Sequence, residues 1–448
     1  MDKLLGFLSL LAIGSVAVAG PKVTNVTMTQ DQVTGKVTIS YHLDKPAVIT
    51  VDVLTNAATG AGASVGPENL LDLKGDAFRC VDAGDHTITW KPRKSAIGEA
   101  GFVSDGASVK AEVKAWSTNC PPDYLVVDLT DQSGDRRASA RFYPSADYLA
   151  GGLTNNPAYR ESLLVLRKVP AAGVEWRMGS NSVESNHSSA DFNRLVTLSR
   201  DYYIGVFAMT RQQCNIAFGR AVDATDSYNT YDECKWAPPS NLNWKNARGE
   251  SDGQTTPDAP SSGSYLGVMR TRTGIAFDLP TNAQWEYACR AGTVGATYNA
   301  DYLDYNYRPN DSAYRAATIA ALNEIAWTIH NGTNFVKGVA KVASHPVGRL
   351  RPNAWGLYDM LGNVHEMILD YYGVADDLDT YFEHKGHTEP IIDPCVTHAT
   401  SRGGSNRIRR GGGVSETAWL NVRSAASALN MKETDSWCGM RVVCPVGL

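Results

Sequence analysis

The stretch from Pro346 to Met367 constrains this chain more than any other. It carries Asn353, Gly356, Gly362 and Asn363, residue types that tolerate backbone with positive φ. Trp355 and Tyr358 bring large faces to bury, and two carboxylates, Asp359 and Glu366, lie seven residues apart. Neither a helical nor a strand period runs through it. The expectation is an irregular, packed loop rich in oxygen donors.

At 448 residues the chain exceeds one ordinary core, and two domains are expected. From about Lys22 to Trp116 the pattern alternates: Val37, Ile39, Tyr41 and Leu43 share one face, and Ile49, Val51 and Val53 resume after the turn-forming Asp44–Pro46. Residues 20–118 are therefore read as a β-sandwich of immunoglobulin or fibronectin character. Cys120 with Pro121 and Pro122 marks a boundary, because prolines cannot continue a ladder. Residues 119–170 form a connecting segment with lead-in strands at 124–129 and 162–167, and residues 171–448 form the second domain. Thr210–Gln213 and Thr281–Gln284 are capping boxes, predicting one helix that stops at Gly219 and another over 282–290 that ends at Gly292.

A net charge of −5 offers no electrostatic footprint for DNA, RNA or an anionic membrane. Residues 1–19 read as a signal peptide, with Lys3, an apolar run from Leu4 to Val16 and the small-residue site Ala17–Ala19. The mature chain is expected to be secreted, periplasmic or on the cell surface, without a membrane span. In that setting the eight cysteines read as disulfide formers. Cys80 pairs with Cys120 on this reading, and Cys214, Cys234, Cys289, Cys395, Cys438 and Cys444 retain about fifteen possible pairings. Cys438 with Cys444 is disfavoured, since an extended intervening segment holds the sulfurs roughly 20 Å apart.

The stretch Asn353 to Met367 resembles the formylglycine-generating (sulfatase-modifying factor) family signature N-x-x-G-L-x-D-M-x-G-N-V-W-E-W. Glu175–Ser180, Leu279–Ala288, Arg407–Gly413, Asn421–Ala425 and Gly439–Val443 are similar to further family blocks, so the resemblance covers roughly 175–443. It implies an α+β, C-type-lectin-like domain after the sandwich.

The resemblance also implies a structural calcium ion held by Asp359, Glu366 and the carbonyls of Gly362 and Val364. The alternative has Asp359 capping the loop and Glu366 pairing with an arginine. Family members hold copper with two thiolates shortly after R-G-G-S, and Glu416 and Asn421 fall near those positions. No cysteine lies between Cys395 and Cys438, so copper is not expected, because Cu(I) selects soft sulfur. No catalytic residue is assigned. His365 replaces the first tryptophan of the signature and Met367 the second. His384, His387, His398 and His365, with Asp393, are weighed as an iron site against a solvated surface.

The last forty or so residues are read as a binding face, with Glu416, Trp419, Asn421, Arg423 and Trp437 as candidate ligand contacts; burial in the core is the other reading for the two tryptophans. The function expected is an exported ligand-binding or scaffold module for extracytoplasmic glycan or peptide. The alternative is a formylglycine-generating oxidase or non-haem metal-dependent oxygenase working through Cys289, Cys438 or the histidines.

Overall fold

The computed structural model describes residues 19–447 apart from 58–59, 61, 71, 93–108, 180–192, 223–231, 241, 250–255, 257, 300–310, 337–338, 374–377, 379–380, 383–387, 402–403, 417–425 and 430–437. The signal-peptide reading of residues 1–19 therefore falls almost wholly outside the described residues. Among these, no helix is long and apolar enough to cross a membrane.

Strand Val37–Leu43 buries every second side chain, as its alternation requires. It lies between Val23–Gln30 and Gly84–Trp90, all antiparallel, and Lys74–Gly75 completes a four-stranded sheet. The turn at Asp44–Pro46 then carries the chain into a second sheet. There Ala47–Thr55 pairs with Val109–Trp116 on one side, and with Cys80–Val81 and Ala63–Ser64 on the other. Val37, Ile39, Leu43, Ile49, Val53 and Trp90 share one core.

The lead-in strands do more than connect. Tyr124–Asp128 and Leu163–Val169 pair antiparallel with each other, Ala140–Tyr143 flanks the first, and Tyr202–Gly205 flanks the second. Val443–Pro445 closes the order as a fifth strand, so the end of the chain packs onto its middle. A second sheet orders Ala426–Leu429, Arg407–Arg410, His365–Tyr371 and Cys438–Gly439, the last pair parallel. The result is a mixed α+β, sheet-rich domain.

Both capping boxes form. Thr210 opens helix Arg211–Phe218, which ends on Gly219 in the left-handed conformation. Thr281 opens helix Asn282–Arg290, but its left-handed cap is Ala291, one residue before the expected glycine. Cys80 and Cys120 carry free thiols instead of a shared disulfide. Burial raises the half-buried Cys80 thiol against the lowering pull of Arg137 and Arg136, and Cys120 is exposed.

Candidate functional site

The irregular stretch is built around side-chain bonds to backbone. Asn363 sits at φ 65 and Gly362 at φ 75, as the sequence suggests. A Cβ on Gly362 would stand 2.3 Å from the Trp327 carbonyl, so no other residue fits. Asn363 donates its backbone N–H to Trp327 O at 2.9 Å, accepts from His345 N at 2.8 Å through Oδ1, and donates Nδ2 to His345 O at 3.0 Å. Its own carbonyl accepts from Val414 N at 3.0 Å. Asn353 departs from expectation: its φ is not positive, and its side chain caps instead. Nδ2 donates to Ala288 O at 2.8 Å, and Oδ1 accepts from Trp355 N and Leu357 N. The positive φ falls on Asp359, at 53.

Glu366 is paired with an arginine. It is 1% exposed, and both of its oxygens are taken. Arg441 donates Nε to Oε1 and Oε2 at 3.0 Å each and Nη2 to Oε1 at 2.7 Å, while Trp285 donates Nε1 to Oε2 at 2.6 Å. Arg441 spends its remaining donors on the carbonyls of Gly205, Val206 and Tyr358. The arginine-paired alternative is the arrangement found. Asp359 accepts from Gly348 N at 2.8 Å through Oδ2, and its Oδ1 is buried without a partner. Burial pushes its carboxyl up to about 6, against the lowering pull of Gly348 and Arg441. Gly362 and Val364 serve the turn and the core: Gly362 N donates to Gly411 O at 2.7 Å, and Val364 is 1% exposed.

Glu416 meets His365, with Oε1 2.7 Å from Nε2. His365 is buried, with its side chain 6% exposed, and its Nδ1 has no partner; Glu416 is 24% exposed. Burial acts to raise the Glu416 carboxyl, but the hydrogen bond and charge of His365, with Arg409 adding to them, hold it below the ordinary glutamate value. The backbone of Glu416 is fixed as well: its N–H donates to Gly413 O, and its carbonyl accepts from Ile329 N, each at 3.0 Å. The sequence named both residues separately; their pairing depends on a fold that brings positions 51 apart into contact, which no local pattern announces.

Two of the other candidates, His398 and Asp393, are each bonded to neighbours of their own. His398 shares hydrogen bonds with Tyr381 and Thr397, Asp393 accepts from Ser199 N at 2.8 Å, and His384 and His387 lie outside the described residues. Among the described residues, no group of three or more His, Cys, Asp or Glu side chains is placed to hold a metal ion. Trp419, Asn421, Arg423 and Trp437 also lie outside the described residues. The arginine-rich strand Arg407–Arg410 is core, not surface. Arg407 is sandwiched between Tyr371 and Trp244, 3.4 and 4.0 Å from their ring centroids. Burial brings it down to about 10.

Residues 168–446 match the family described as the sulfatase-modifying factor enzyme 1-like domain. The chain belongs to that family. The sulfatase-modifying-factor domain is 25% identical to the formylglycine-generating enzyme of Mus musculus over 180 residues, covering 40% of this chain and 41% of the mouse protein. It is 28% identical to the chaperone protein LppX of Paenibacillus barcinonensis over 204 residues, covering 42% of this chain and 68% of that protein. The chain thus spans about two-fifths of the length of the mouse enzyme it matches. Among solved structures it is similar to Treponema denticola variable protein 1, at a TM-score of 0.43 and 21% identity, covering 63% of this chain and 95% of that one.

Proposed function

We propose that this sulfatase-modifying-factor protein is an exported ligand-binding or scaffold module without formylglycine-generating activity. The observation that carries this reading is the Glu416–His365 pair. Near the position where the resemblance implies the first copper thiolate, the chain has a carboxylate, already bonded to an imidazole where the family has tryptophan. A hard oxygen donor does not replace soft sulfur for Cu(I).

What remains at that position suits recognition. Glu416 is partly exposed, ionised at neutral pH and anchored through its backbone, so it offers a fixed acceptor to a ligand from outside the cytoplasm. The ligand class on this reading is an extracytoplasmic glycan or peptide.

The test is to load the purified protein with copper or iron and incubate it with a peptide carrying the C-x-P-x-R motif. The thiol mass is expected to persist. Conversion of the peptide cysteine to an aldehyde would sink the proposal and restore the oxidase alternative.

A further inference from the structure

A cleft of about 1020 Å³ opens beside the closing strand, walled by residues 198–202 and 443–447 with Ala276, Asp278, Leu279, Gln284, Asp393 and Asn119. Glu416 and His365 do not line it. We infer that this cleft is a binding site for a short neutral oligosaccharide; the inference rests on the ligand-binding reading above and gives it a second location.

The argument is one of matched chemistry. A sugar presents neighbouring hydroxyls, each donor and acceptor at once, and apolar C–H faces, so its site needs fixed planar polar groups above an apolar floor. The cleft has both. Asp201 accepts from Ala171 N and Ala172 N at 2.9 Å each, and both bonds fall on Oδ1. The single side-chain bond of Asp393, from Ser199 N at 2.8 Å, also falls on Oδ1. Each carboxylate is thereby aimed by the backbone while its second oxygen is left for a hydroxyl. Gln284 spends its carbonyl on Thr281 N at 3.0 Å, which leaves the amide N–H2 as a donor. Arg200 is exposed, and no acceptor among the described residues holds its guanidinium. The apolar surface is supplied by Ala172, Ala276 and Pro445, which are exposed, and by the half-buried Leu369.

The charges favour a neutral ligand. Arg200 and Arg270 stand against Asp201, Asp278 and Asp393, and Asp278 is also held by Arg248 at 2.9 Å from outside the cleft lining. With the charges so balanced, neither a strong anion nor a strong cation gains much by entering.

Two exposed positions test this without touching the core. Ala276→Trp fills the cleft, and Arg200→Ala removes the guanidinium that nothing holds. Full-length protein is applied to an array of unmodified neutral oligosaccharides, and any hit is titrated as the free sugar. We expect binding that falls by about tenfold or more in each variant and is retained in Val33→Ala, an exposed position outside the lining. No carbohydrate bound, or binding indifferent to both variants, overturns the inference. Binding that Glu416→Gln abolishes while both cleft variants retain it also overturns the inference, yet leaves the module reading standing, with the ligand at Glu416.

Discussion

Glu366 and Arg441 form a closed pair: every oxygen of the carboxylate and every nitrogen of the guanidinium is bonded, and both side chains are at most 1% exposed. The pair joins strand His365–Tyr371 to the end of strand Tyr202–Gly205, and Trp285 adds helix Asn282–Arg290. Removing one partner leaves the other charged and buried. Arg441→Met is expected to destabilise the domain by roughly 3–5 kcal/mol, read from urea unfolding. A loss below about 1 kcal/mol, the range of an exposed pair, would show that the site is hydrated.

Asp359 should make stability fall as pH rises. Its folded value of about 6 exceeds the ordinary 3.8, so between the two the folded state keeps a proton that the unfolded chain has released. Folding is therefore penalised progressively through that window, by about 3 kcal/mol at completion. Asp359→Asn removes the penalty. It should be more stable than wild type at pH 7 and lose that advantage below about pH 4. Parallel stability curves for the two proteins across this range would contradict the assignment.

Glu416 has the opposite sign. Its folded value lies below the ordinary 4.5, so its bond to His365 contributes stability that is present above 4.5 and lost as pH falls through the folded value. Glu416→Gln should flatten the acid limb of the unfolding curve, being less stable than wild type near neutral pH and converging with it at acid pH. An unaltered acid limb would argue that the pair does not persist in solution.

Arg407 is stacked between Trp244 and Tyr371, and its Nη1 donates to Leu369 O at 2.7 Å and to Thr256 at 2.6 Å. Lysine keeps the charge but loses the plane that both rings cover. Arg407→Lys is expected to cost about 2 kcal/mol or more, measured as a drop in thermal midpoint. A midpoint equal to wild type would mean that charge alone suffices there.

Local features of the chain were legible, and remote ones were not. The alternation of Val37, Ile39, Tyr41 and Leu43 gave the buried face directly, because a strand's period is local. The boxes at Thr210 and Thr281 located both helix starts, since capping is settled within four residues. Helix Tyr265–Thr273 was missed: it is capped by Ser264 without a reciprocal acid or amide, and it carries Gly267 in its interior. That glycine has a packing reason, because a Cβ there would stand 1.9 Å from Ser261 O.

At the candidate site the residue types were legible but their partners were not. Glu366 in the signature stretch fits a cation ligand and an arginine partner equally well. Its partner, Arg441, lies 75 residues further along the chain, beyond the reach of any local pattern. Asp359 likewise could be placed in the loop by sequence, but its unpartnered Oδ1 follows from burial that no spacing encodes.

The closing strand Val443–Pro445 lies against Tyr202–Gly205, and Arg441 reaches Gly205 O across 236 residues of sequence. Bringing such distant segments together carries a large ordering cost before any contact repays it, which places this domain among slow folders. During synthesis the middle of the chain must wait with an unpaired sheet edge until its last partner emerges. A nascent polypeptide in that condition presents an open strand to other copies of itself, so the same topology that delays completion also lengthens exposure to mispairing.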